Sequence, residues 1–135
     1  MKSLVNKKRI QRNKMPFATK QEIEEIIEKM KEEIEEDKIV IIVEGKKDKA
    51  ALFHLGIKEQ VFILNGKDIW NRLEEIANNN QGKHMLILTD FDKEGKKLYG
   101  KITKDLERVG MKINKKYREF FQKRTKISQI EGLDT

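Results

Sequence analysis

Two short runs constrain this chain more than anything else in it: IVIIV at 39–43 and MLILT at 85–89, each free of charge and the first wholly β-branched. A strand covered on both faces reads as a continuous apolar run, whereas a half-exposed strand alternates, so both are expected to be buried parallel strands. Each run stops at acid, Glu44-Gly45 after the first and Asp90-Phe91-Asp92 after the second. In open α/β sheets ligands sit outside the carboxyl ends of the strands, where these acids fall. With the backbone extended through 90–92, residues i and i+2 project to one side, so Asp90 and Asp92 can face one hard cation while Phe91 points away.

Around these runs the apolar period changes from strand to helix. Thr19 and Glu22 form a capping box, and Ile23, Ile26, Ile27, Met30 and Ile34 follow at helical spacing, which predicts a helix over about 20–36 that packs on the sheet. Its glutamate-rich outer face reads as solvated and should repel nucleic acid. A second helix is expected over 47–55, with Ala50, Ala51, Leu52 and Leu55 inside and Gly56 as its stop. Asp48 falls in its first turn, where an acid is stabilising whatever its function. Then come a strand at 61–64, an Asn65-Gly66 turn, and a helix carrying Ile69, Trp70, Leu73 and Ile76, with Trp70 expected in the core. After the aspartates, Leu98, Ile102, Leu106 and Val109 mark a helix ending before Gly110, and 111–114 a short fourth strand. A basic helix closes the series: Tyr117, Phe120 and Phe121 should pack on the sheet, leaving Lys116, Arg118, Lys123 and Arg124 to line a nucleic-acid groove. Residues after Lys126 carry no clear signal.

The alternation predicts an α/β fold: a mostly parallel four-stranded, Rossmann-like sheet with helices on both faces and an extra N-terminal helix. In a strand order of the 2-1-3-4 kind, strands one and three are neighbours and Glu44, Asp90 and Asp92 converge on one crevice. The expected organisation is a flexible basic arm at 1–16, the N-terminal helix at 17–37, the α/β domain at 38–126 and a tail at 127–135.

Composition narrows the chemistry. A chain of 135 residues buries about two-thirds of its unfolded surface, so a metal here would be functional rather than structural. The absence of cysteine excludes a disulfide framework, a thiolate zinc site and a cysteine nucleophile, and two histidines make a His-based zinc centre or a Ser/His relay a poor fit. No apolar run approaches the roughly 20 residues needed to span a bilayer, and a cytoplasmic location with no membrane partner is expected. Lys and Arg outnumber Asp and Glu by 30 to 23, for a net charge of +7, which favours a polyanionic partner. The arm alone holds Lys2, Lys7, Lys8, Arg9, Arg12 and Lys14 with no acid.

VEGKKDKAAL followed by LILTDFDKEGKKL resembles a Toprim domain, the catalytic module shared by type IA and type II topoisomerases, DnaG-type primases, OLD-family nucleases, the 5S rRNA maturation nuclease and recombination-mediator proteins. The T-D-x-D-x-E-G form is most similar to type IA topoisomerases, and V-E-G-x-x-D with the Asn65-Gly66 turn to the 5S rRNA nuclease. The resemblance spans about 38–114. It implies that Glu44 is a general acid/base, and a metal ligand, in strand breakage or rejoining, and that Asp90 and Asp92 hold Mg²⁺, with Mn²⁺ as an alternative ion. Such a cation is commonly bound by one or two carboxylates plus substrate phosphate. Without it the close carboxylates repel, so at least one should titrate high. Lys46, Lys47, Lys93 and Lys96, in the adjoining turns, are candidate phosphate contacts, and Asp48, Asn65 and Glu94 candidate supporting residues.

No segment matches the domain that supplies a topoisomerase tyrosine, and Tyr99 and Tyr117 sit at helical positions that read as packing or surface. A primase's zinc-binding and polymerase parts are absent too. The expectation is therefore Mg²⁺-dependent phosphodiester hydrolysis or transfer on nucleic acid, an RNA-directed nuclease in particular. The alternative is a non-catalytic nucleic-acid-binding or assembly module. Expected partners are nucleic acid, RNA favoured over DNA, and a larger nucleic-acid-processing complex. A phosphoacceptor receiver domain fits poorly, because it needs an acidic pair after strand one and this chain has Glu44 alone.

Overall fold

The apolar runs pair side by side in a computed structural model that describes residues 16–64 and 68–134. Most of the basic arm and the Asn65-Gly66 turn lie outside the described residues. The chain runs α1 (Lys20–Glu35), β1 (Ile39–Val43), α2 (Lys46–His54), β2 (Val61–Ile63), α3 (Ile69–Asn79), β3 (His84–Leu88), α4 (Lys93–Arg108), β4 (Lys112–Asn114) and α5 (Lys116–Arg124), then a 3₁₀ helix at Ile130–Asp134. The four strands form one parallel sheet in the order β2-β1-β3-β4. Register sets Val43 opposite Leu88, so Glu44 and Thr89 leave the sheet together.

Alternation within each strand divides the core in two. Ile39, Ile41, Val43, Leu86 and Leu88 face α1, α2 and α5 through Met30, Leu52, Tyr117 and Phe121. Val40, Ile42, Met85 and Ile87 face α3 and α4 through Leu73, Ile76, Ile102 and Leu106. Both faces are covered, which is why β1 shows no polar residue at all. The predicted capping box starts α1: Glu22 N–H donates to Thr19 Oγ1 at 3.1 Å and Thr19 N–H to Glu22 Oε1 at 3.1 Å.

Two expectations need correction, and one silent stretch acquires a structure. Trp70 is not core; it stays 47 % exposed at the start of α3, while Leu73, Ile76 and Ala77 supply the buried stripe. Arg118 does not line a groove; it is 2 % exposed and turned beneath the end of β3. The stretch after Lys126, silent in sequence, folds back on the sheet, and Ile130 is fully buried among the α1, α2 and α5 side chains. Ile127, Ile130 and Leu133 recur every three residues and pack together on the core, but a run this short and this polar does not separate a 3₁₀ turn from a loop by pattern.

Candidate active site

Glu44 and Asp90 meet because parallel register brings the ends of β1 and β3 level. Asp90 N–H donates to Glu44 Oε2 at 2.7 Å. Every other polar group of Asp90 but one oxygen is also held. Its Oδ1 accepts from the Ile130 N–H at 3.0 Å, and its carbonyl accepts from Arg118 Nη2 at 3.1 Å. Asp92 begins α4 as its N-cap, accepting from the Gly95 N–H through Oδ1 at 2.8 Å. Asp48, on the first turn of α2, accepts from the Gly45 N–H through Oδ2 at 3.0 Å. Each acid thus has one carboxylate oxygen fixed by a backbone donor, and no second side-chain hydrogen bond reaches the other oxygen among the described residues.

Arg118 is the residue the sequence reading misplaced. Nη1 donates to Ile87 O at 3.1 Å and Thr89 O at 2.7 Å. Its guanidinium carbon lies 4.2 Å from the Tyr99 ring centre and 5.0 Å from that of Phe91. Carbonyls at a strand end lack a ladder partner, and a planar five-donor fork between two rings satisfies them while supplying a buried cation. Burial lowers its pKa to about 10, opposed by Tyr99, Glu44 and Asp90, so it stays charged at neutral pH. The available signal was its place beside Tyr117 and Phe121, on the inward arc of α5.

Gly95 closes the turn from the other side. A Cβ there would lie 2.1 Å from the Asp90 carbonyl oxygen, so only glycine lets α4 approach this closely. Thr89, fully buried, donates its hydroxyl to Gly95 O at 2.7 Å. The C-terminal segment adds a clasp, with the Phe91 N–H donating to Ser128 O at 2.7 Å.

The electrostatics follow from packing like charges at a half-buried edge. Burial pushes the Glu44 carboxyl above the usual range; Asp90 and Asp92 add to the rise, while the Asp90 N–H and Arg118 oppose it. Asp48 is pushed up to about 6, first by burial and then by Asp90, with smaller contributions from Glu44 and Glu131.

The donor set fits a hard divalent cation. All the ligating chemistry is carboxylate oxygen, with no sulfur, and each acid is pre-oriented by a backbone donor. Among the described residues no three His, Cys, Asp or Glu side chains close into a ready cage.

The remaining predicted site residues divide. Lys46 and Lys47 are exposed on the first turn of α2, Lys93 and Lys96 on that of α4. Glu94 is exposed and makes no side-chain hydrogen bond or ion pair among the described residues. Asn65 lies outside those residues. Beside the acids, α2 and the C-terminal segment border an open cleft of about 650 Å³, lined in part by Lys47, His54, Lys126 and Gln129.

A 2-1-3-4 parallel sheet with glutamate after the first strand and D-x-D after the third is the arrangement that the Toprim domain defines, and the model of that domain matches residues 38–116. The chain belongs to the Toprim domain family, in a small protein of the UPF0292 kind. It is 35% identical to a UPF0292 protein of Methanocaldococcus jannaschii over 81% of this chain and 84% of that one. A UPF0292 protein of Thermococcus sibiricus is 33% identical over 83% and 82%. Among solved structures, a putative protein from Aquifex aeolicus superposes with a TM-score of 0.67 at 31% identity, covering 80% of this chain and 94% of that one. Among the described residues no helix is long and apolar enough to cross a membrane.

Proposed function

We propose that this protein is a divalent-metal-dependent phosphodiesterase acting on nucleic acid, with RNA as the favoured substrate. The observation that carries the reading is the 2.7 Å contact between Glu44 Oε2 and the Asp90 N–H, which joins the two motif halves into one acidic edge. Asp90 and Asp92, with Glu44 beside them, would hold Mg²⁺ or Mn²⁺. When bound, such an ion neutralises the phosphodiester and lowers the pKa of a coordinated water.

The chain's own groups do the rest. Glu44, its pKa raised by burial and by the neighbouring Asp90 and Asp92, is the group placed to exchange a proton with the attacking water or the leaving oxygen. Arg118, Gly95 and the Ile130 N–H keep Asp90 in one orientation, so no reorganisation is needed when substrate arrives. Lys47 and Lys126, on the cleft, offer charge to a phosphate.

A cleavage assay tests this, with structured RNA and supercoiled DNA in Mg²⁺ or Mn²⁺. Wild type should cut, RNA faster, and Glu44→Gln, Asp90→Asn and Asp92→Asn should each lose about 10²-fold or more. An inactive wild type, or variants that cut as well as it does, ends the proposal. The second reading, a binding or assembly module without cleavage, draws on the engagement of Asp90 Oδ1 and Asp92 Oδ1 by backbone donors. Under it, RNA affinity survives chelation and replacement of all three acids while cutting is never seen.

A further inference from the structure

The acids are reached from one side by an unusually basic helix. Lys93, Lys97, Lys101, Lys104 and Arg108 follow one another along α4 at intervals of four, four, three and four residues. At 100° per residue these five fall within an arc of about 80°, opposite the buried stripe of Leu98, Ile102 and Leu106. All five are exposed. Among the described residues the four lysines make no ion pair; Arg108 lies 3.5 Å from Asp105. Glu94 and Asp105 flank one edge of the arc, and Glu107, 3.9 Å from Lys115, flanks the other; no acid falls inside it.

We propose that this face of α4 is a rail for the phosphate backbone of RNA, leading the strand to the acids at the helix's own start. The rail spans about 22 Å at 1.5 Å per residue, long enough to meet several successive phosphates of one strand. Four-residue steps set neighbouring charges about 6 Å apart along the axis, so successive lysines meet different phosphates. Direction follows from continuity: Asp92 is the N-cap of α4 and Lys93 its first residue. A strand held along the helix therefore passes over the aspartates. The proposal rests on the nuclease reading for what happens at that end, but not for the binding itself.

The test is binding to labelled single-stranded and duplex oligoribonucleotides in EDTA, across a salt series. One variant carries Lys97→Gln, Lys101→Gln and Lys104→Gln; the control carries Lys20→Gln, Lys29→Gln and Lys112→Gln, the same charge removed from other exposed sites. The rail variant should lose about tenfold or more in affinity, and the slope of log affinity against log salt should fall by about 2, at about 0.7 to 0.9 for each phosphate no longer neutralised. The control should stay near wild type, with melting temperatures confirming that both variants fold. The proposal fails if wild type does not bind RNA, if the rail variant keeps wild-type affinity and slope, or if the control loses as much. It also fails if the rail instead holds a second copy, seen as a salt-sensitive dimer that the rail variant abolishes. Wild type that binds through the rail yet cuts nothing sinks the nuclease reading and leaves the rail standing.

Discussion

Helices α4 and α5 have similar chemistry on paper, with Lys and Arg at six of 16 positions in one and four of nine in the other, yet they direct that charge oppositely. In α5 each cation already has a partner within the protein. Arg118 goes beneath the sheet edge, Arg124 donates to Pro16 O and Glu22, Lys123 lies 4.0 Å from Glu119, and Lys116 is 3.8 Å from Glu33. In α4 the lysines face solvent, and among the described residues none of them makes an ion pair. A count of basic residues therefore locates a polyanion surface only after internal partners are subtracted, and here the subtraction moves that surface from α5 to α4.

Removing the inward cation should give the largest effect. Arg118→Met leaves the carbonyls of Ile87, Thr89 and Asp90 without their donor in a buried place, and should cost about 3–5 kcal/mol in urea unfolding. Arg118→Lys, which keeps charge but not the fork, should recover part of it. If Arg118→Met unfolds like wild type, the contrast between the two helices is wrong at its root. The inward side of α4 is tested by Gly95→Ala, whose Cβ would collide with Asp90 O; a loss of about 1–3 kcal/mol is expected, together with weaker Mn²⁺ binding by titration calorimetry. Unchanged metal affinity would mean that Asp90 is not held in place by α4.

The smallest effect concerns the acids that both helices support. Asp48 titrates at about 6 when folded, against an ordinary 3.8. The folded state therefore binds the extra proton between these values, and wild-type stability falls as pH rises through that window. Asp48→Asn removes the penalty while an amide oxygen can still accept from Gly45. The variant should exceed wild type by about 2 kcal/mol above pH 6 or so, with the gain gone near pH 4. Urea midpoints across pH read this directly, and a pH-independent difference would remove Asp48 from the acidic cluster.

Much of the architecture was legible because it rests on rules with short range. Ile39–Val43 and Met85–Leu88 declare burial on both faces, and their register follows from β1 lying beside β3. Glu44 and Asp90 could be paired from topology alone. What holds them could not. Arg118 hides in a helix whose two lysines are exposed, and its partners are backbone carbonyls, which leave no trace in sequence. Ile130 contributes an N–H, which every residue but proline has, so its position carries no chemical mark. Trp70 went astray for the opposite reason: it is the second residue of the helix and lies off the buried stripe, where aromatic character implies a burial that the first turn does not provide.

The family match ends at residue 116, whereas Arg118, Ser128 and Ile130 lie beyond it. A graft of 38–116 into another scaffold would transplant all the motif acids and leave behind two of the three groups that orient Asp90. In modular terms, the unit of homology and the unit of preorganisation are different lengths of the same chain, and a minimal excised domain would keep the signature while loosening the geometry it is known by.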